Sequence, residues 1–63
     1  MKTMYETKRF YVFSKCNKNG FEMYYIGIKG YNHTTGMYGS LKLAIEDANY
    51  FERVIDDVTV FIN

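Results

Sequence analysis

The chain has no proline and no tryptophan, and it has only one cysteine and one histidine among its 63 residues. A single cysteine, Cys16, excludes an internal disulfide. Cys16 and His33 together supply too few ligands for a structural zinc site, which takes about four. A chain this short hides only ~60% of its unfolded surface. Its stability therefore has to come from a tight core or from a partner subunit.

Long apolar runs are also missing. No stretch approaches the ~20 residues of a membrane span, and the start, MKTMYETKRF, lacks the apolar region of a signal peptide. With a lone thiol, these absences predict a cytoplasmic protein that does not contact a membrane. The glycines match neither the G-x-G-x-x-G pattern nor a P-loop. We therefore expect no cofactor and no metal.

Apolar side chains are plentiful instead. The chain is 48% hydrophobic and 19% aromatic, with seven Tyr and five Phe, which excludes disorder and predicts one small domain over residues 1–63. Residues 1–30 carry six Lys or Arg and two Glu, a net charge of +4. Residues 31–63 carry two Lys or Arg and five Asp or Glu, a net charge of −3. This asymmetry is typical of ordinary solvated surfaces, but it also fits a molecule that presents one charged face to a partner.

Two aromatic and β-branched segments predict a hairpin. They are residues 9–16, RFYVFSKC, and 21–29, FEMYYIGIK, with a turn at Asn19-Gly20 between them. A two- or four-residue loop places Tyr11, Phe13, Tyr24, Ile26 and Ile28 on one face, and Phe10, Val12, Cys16, Met23 and Tyr25 on the other. A three-residue loop would divide these side chains between the two faces differently. In every case both faces are apolar, unlike a sheet that is exposed on one side.

A helix and a further strand follow. Ser40 suits an N-cap, and LKLAIEDANYFERV has an apolar stripe at three-to-four spacing that ends by Ile55, before Asp56 and Asp57. VTVFI, residues 58–62, alternates like a strand. The predicted α+β fold is a three-stranded, mainly antiparallel sheet of order 2-1-3, built from hairpin, helix and strand. One helix covers one face, and a short extra strand fits near residues 36–38.

Groups that could carry out catalysis are sparse. Cys16 and His33 are the available nucleophile and base, but one lies by the hairpin tip and the other in a distant loop. Glu46 and Asp47 are neighbours on the predicted helix, so their side chains point in different directions. We therefore expect no catalytic residue and a protein that is not an enzyme.

The sheet face opposite the single helix is the strongest functional feature. It predicts a non-enzymatic protein-binding module, with a homodimer through this face or through the edge strands as one form of the contact. The candidate partner-binding residues are Tyr11, Phe13, Tyr24 and Tyr25 in the hairpin and Tyr31, His33 and Tyr38 in the following loop.

Two alternatives stay open for this face. The N-terminal segment with Met4 and Tyr5, or the loop of residues 30–39, could fold under the face and close it. The aromatic rings and the basic hairpin residues could instead bind single-stranded nucleic acid. A small, proline-free chain rich in Tyr, Asn and Lys is also the kind of accessory protein by which phages of AT-rich genomes inhibit or modulate a host enzyme or defence complex. No motif carries that last expectation.

Overall fold

The computed structural model describes residues 2–62 and contains four strands and one α-helix. These are β1 (Lys2–Glu6), β2 (Phe10–Cys16), β3 (Glu22–Ile28), β4 (Thr34–Tyr38) and α1 (Leu41–Val54), followed by a 3-10 turn over Val58–Phe61. Each strand pairs antiparallel with its neighbour in the chain, in the order β1-β2-β3-β4. The predicted three-stranded sheet of order 2-1-3 is therefore wrong, and the fold is a four-stranded meander with one helix.

The last predicted strand is a 3-10 turn. The Asp57 carboxylate accepts hydrogen bonds from the Thr59 N–H at 3.0 Å and from the Thr59 hydroxyl at 2.8 Å, which starts the turn. Val58 and Phe61, three residues apart, both pack against the core, while Val60 is 59% exposed. Side chains three residues apart lie on the same side of a 3-10 helix. The spacing of Val58 and Phe61 therefore places both against the core, whereas the alternation that predicted a strand does not.

The N-terminal segment forms the unpredicted strand β1. It pairs with β2 through an irregularity between Thr3 and Tyr5. Tyr5 packs against the core, and its hydroxyl donates to Asn49 Oδ1 at 2.8 Å. In the turn to β2, the Thr7 N–H donates to the Phe10 carbonyl at 2.8 Å. The segment thus widens the sheet at its edge, and the expectation that Met4 and Tyr5 close the second face is wrong.

The hairpin between β2 and β3 has the three-residue loop. The Asn17 N–H donates to the Phe21 carbonyl at 2.8 Å, and the Gly20 N–H donates to the Asn17 carbonyl at 3.0 Å. Gly20 has φ +87°, a left-handed conformation that glycine adopts without strain. Phe10 consequently lies opposite Ile28, and Val12 opposite Ile26. The face grouping expected from a two- or four-residue loop is therefore wrong.

The core lies between the sheet and α1. Phe10, Val12, Ile26 and Ile28 pack against Ala44 and Ala48, and all six side chains are buried. The small alanine side chains allow the helix backbone to lie close to the sheet. The predicted helix is confirmed at both ends, because the Ser40 hydroxyl accepts from the Leu43 N–H at 3.2 Å and Ile55 is the C-cap.

The extra strand expected near residues 36–38 is present as β4. Its pairing with β3 shifts between Thr35 and Met37, so that Gly36 is an extra residue with φ +79°. The neighbouring Tyr38 lies on the helix side, and its hydroxyl donates to Asp47 Oδ2 at 2.7 Å, which ties the sheet edge to α1. In the described residues 2–62, no helix has the length and apolar character needed to cross a membrane.

Candidate binding face

The side of the sheet that faces away from α1 is called the open face here. The helix and the 3-10 turn both pack on the other side, and within residues 2–62 no helix or strand covers this one. Its side chains, taken from the pairing register, are Thr3, Glu6, Tyr11, Phe13, Lys15, Met23, Tyr25, Thr34 and Met37. The uncovered apolar face predicted from the sequence is therefore present.

Three aromatic rings form a continuous strip on the open face. The ring centroids of Tyr11 and Phe13 are 5.6 Å apart, and Tyr25 stacks on Phe13 at 5.5 Å with 22° between the planes. Phe13 is only 5% exposed because its two neighbours flank it, whereas Tyr11 and Tyr25 are half-buried. The strip thus presents two amphipathic tyrosine rings around an apolar centre.

Gly27 makes room for one end of this aromatic strip. A Cβ atom at Gly27 would lie 2.2 Å from Cζ of Tyr11, so the tyrosine ring occupies the space that a side chain would need. Gly27 lies directly opposite Tyr11 in the register. The missing side chain therefore lets the Tyr11 ring lie flat on the sheet, next to Phe13.

An open groove of about 720 Å³ runs over this face, and Cys16 and His33 both line it. Cys16 ends β2 next to the hairpin loop. The His33 carbonyl accepts from the Ile28 N–H at 3.2 Å, and Ile28 lies opposite Phe10 at the start of β2. Six residues of strand separate these points by about 20 Å. Cys16 and His33 therefore lie at opposite ends of the groove.

The charge asymmetry of the sequence becomes an asymmetry between layers, because residues 31–40 carry no charge. The sheet layer, residues 2–38, has six Lys or Arg against two Glu and is +4. The helix layer, residues 41–62, has two Lys or Arg against five Asp or Glu and a net charge of −3. Lys2 and Lys15 line the groove with Glu22, and within residues 2–62 neither lysine is in an ion pair. The groove is thus weakly basic.

Arg9 connects the two layers instead of lying on the open face. Its Nε donates to Glu52 Oε2 at 2.7 Å, and its backbone N–H donates to Glu52 Oε1 at 2.7 Å. Burial opposes ionisation of Glu52, but hydrogen bonds from Thr7 and Arg9 and the guanidinium charge outweigh it, and they lower the pKa of Glu52 to about 2. Arg9 therefore holds the C-terminal part of α1 against the sheet.

The seven residues predicted to bind a partner divide between the two sides. Tyr11, Phe13 and Tyr25 lie together on the open face, and His33 lines its groove. Tyr31 is in the loop between β3 and β4 and is 44% exposed.

Tyr24 and Tyr38 pack against the core on the helix side, so the expected grouping of Tyr24 with Tyr11 is wrong. Burial, a hydrogen bond to Asp47 and the Asp47 charge raise the pKa of Tyr38 well above its ordinary value. Tyr38 is also part of a strand, not of an exposed loop.

Sequence reasoning missed six residues of the open face, which are Thr3, Glu6, Lys15, Met23, Thr34 and Met37. Of these, Met37 is 64% exposed. Lys15 follows Phe13 by two residues, so strand alternation could have found it. Thr34 and Met37 are separated by the irregularity at Gly36, which breaks simple alternation.

Comparison of the chain with protein-family models, curated proteins and solved structures found no significant match in any of the three. The function therefore has to be inferred from the open face itself.

Proposed function

We propose that this protein is a non-enzymatic protein-binding module that binds a protein partner through its open face. The observation that carries the proposal is the aromatic strip of Tyr11, Phe13 and Tyr25, which lies beside the exposed Met37 with no helix or strand of residues 2–62 over it. Tyr, Phe and Met are enriched in the cores of protein interfaces. Contiguous apolar patches with polar rims mark such contact sites.

The charge of the sheet layer favours an acidic partner surface. Lys2 and Lys15 lie at the groove, and the whole layer is +4, so an acidic surface is attracted over a distance and oriented towards this side. The composition adds a narrower proposal. The protein is a phage-type accessory protein that acts in the cytoplasm, and its partner is a host enzyme or defence complex that it inhibits or modulates by direct contact.

The test begins with capture of the partner by the tagged chain and ends with purified components. The captured protein is identified by mass spectrometry, purified, and titrated with the chain by calorimetry. Tyr25→Ser and Met37→Ser should each weaken binding by about tenfold or more, since they remove apolar contact from adjacent positions on the open face. Phe21→Ser is the matched control, because Phe21 is 67% exposed but lies at the hairpin loop. Equal affinities for all three variants would contradict the use of this face.

Single-stranded nucleic acid is the second candidate ligand. The stacking of Tyr25 on Phe13 and the two groove lysines support it, since aromatic rings on a sheet stack bases while cations hold phosphates. It predicts that an oligothymidylate of about ten nucleotides binds at low salt, and that binding weakens as salt is added. Fluorescence anisotropy that shows no binding at low salt would exclude this candidate.

A further inference from the structure

The outer surface of α1 carries a second apolar patch, which is separate from the open face. Leu43, Tyr50 and Val54 are 53%, 51% and 45% exposed. At 3.6 residues per turn these three side chains fall within about 40° of one another around the helix. Ala44 and Ala48 face the sheet, and the three residues lie on average about 120° from them around the helix, so they form an exposed stripe along one side of α1. This set is called the outer stripe.

Charged side chains lie along one flank of the outer stripe. Glu46 and Arg53 are both exposed and are seven residues apart, so they lie within about 20° of each other around the helix. Within residues 2–62 neither of them is in an ion pair. The Arg53 guanidinium lies 5.7 Å from the centre of the Tyr50 ring. On the other flank, Asp47 accepts the hydrogen bond from Tyr38.

We propose that the outer stripe is a self-association surface, on which a second copy of this chain packs its own α1 antiparallel about a two-fold axis. Such an axis places residue i of one helix opposite residue j of the other when i and j lie symmetrically about one point. Leu43 and Val54 are symmetric about position 48.5, and Glu46 and Arg53 are symmetric about position 49.5. The two centres differ by one residue, or about 1.5 Å along the helix.

The charge pattern is self-complementary in this arrangement. A two-fold axis perpendicular to the helices sets the same flank of each helix side by side. Glu46 therefore lies next to Arg53 of the partner subunit, and the symmetry repeats the pair. Leu43 lies opposite Val54 of the partner subunit, and Tyr50 lies close to the axis. Because the pattern matches its own copy in both apolar and charged positions, a second copy is the occupant that these residues favour.

The open face of each subunit stays outside the helix–helix contact. It lies on the side of the sheet that faces away from α1, so the packing of one α1 on the other does not itself cover it. This inference is independent of the function proposed for the open face. The contact rests on three apolar and two charged residues of each subunit, far fewer than the ~20–30 residues per side of a standard interface, so the association is expected to be weak and to depend on concentration.

Sedimentation velocity on the full chain tests the inference. The wild type should shift from monomer to dimer as its concentration rises to about 1 mM, the weak end of specific affinities. Glu46→Arg and Arg53→Glu should each weaken dimerisation by about tenfold, since like charges then face each other across the axis. The double swap carrying both substitutions should return the dissociation constant to within about threefold of wild type, because the pairing is restored with reversed sign.

Control variants separate this surface from the open face. Lys18→Glu changes charge at the hairpin loop and should leave dimerisation unchanged, as should Met37→Ser on the open face. Leu43→Ser should weaken dimerisation without loss of helix by circular dichroism. A wild type that stays monomeric to about 1 mM would overturn the inference. It would also be overturned if folded Glu46→Arg dimerises normally, if the double swap is not rescued, or if Met37→Ser abolishes dimerisation.

Discussion

Arg9 joins the sheet layer to the helix layer at the C-terminal end of α1. Besides its contacts to the Glu52 carboxylate, its Nη2 donates to the Glu52 carbonyl at 2.8 Å and its Nη1 donates to the Asp56 carbonyl at 3.2 Å. These carbonyls lie in the last turn of α1 and just beyond it, where backbone acceptors have no partner within the helix. The contact therefore anchors the end of the helix to the start of β2.

Replacement of Glu52 by Gln tests this anchor through its pH dependence. The pKa of Glu52 falls from an ordinary 4.5 to about 2 on folding, so its stabilisation is present above pH 4.5 and is lost as the pH falls towards 2. Glu52→Gln should therefore lower the free energy of unfolding by about 1–3 kcal/mol at pH 7. The difference from wild type should shrink below pH 3. Urea denaturation at several pH values measures it, with the exposed Glu46→Gln as a control that changes little.

The β4 strand depends on one glycine. Gly36 has φ +79°, and a Cβ atom there would lie 2.6 Å from the Tyr38 ring. Gly36→Ala should therefore destabilise the protein by about 1–3 kcal/mol, because alanine is strained at this φ and also displaces Tyr38 from its contact with Asp47. Gly39→Ala is the matched control, since a Cβ atom at Gly39 meets nothing within 4 Å. Equal thermal stability of the two variants would contradict this role for Gly36.

The 3-10 turn contributes one large side chain to the core. The ring of Phe61 lies 5.1 Å from that of Phe51 and 6.0 Å from that of Phe10. Phe61→Ala should lower the free energy of unfolding by about 2 kcal/mol or more, since it empties a partly buried aromatic site. Val60→Ala in the same turn should change it little, because Val60 is 59% exposed. If both variants denature at the same urea concentration, the turn does not hold the core.

Elements with strong local signals could be predicted from the sequence. The helix is specified by the Ser40 cap and by its apolar stripe, and it was predicted at the observed ends. The order of strands depends on contacts between distant segments, which no local pattern contains. Thus β1 has little apolar alternation of its own and is held by pairing with β2. Residues 58–62 alternate like a strand but form a 3-10 turn around the Asp57 cap.

The candidate site could be predicted as a surface but not residue by residue. A single helix can cover only one side of a sheet, so an open face follows from the count of elements. Which side chains lie on the open face depends on the pairing register, because a shift of one residue moves every side chain of a strand to the opposite face of the sheet. The three-residue loop closed by Gly20 therefore places Tyr24 on the helix side and brings Tyr25, which was expected on the other face, next to Phe13.

The two layers of the molecule carry opposite charge. The sheet layer is +4 and the helix layer is −3, with no charge in residues 31–40 between them. The open face therefore lies on the basic side, and the outer stripe lies on the acidic side. A partner that carries an acidic surface is drawn to the sheet side before any side chain touches it.

Charge reversal in each layer should separate this long-range attraction from contact. Lys15→Glu changes the open face and Lys42→Glu changes the helix, and both alter the net charge equally. With the captured partner immobilised, Lys15→Glu should lower the association rate by about tenfold at low salt, whereas Lys42→Glu should lower it much less. The difference should fade as ionic strength rises above about 0.15 M, since screening then limits attraction to about 8 Å. Equal rates for the two variants at low salt would show that the layered charge does not orient the partner.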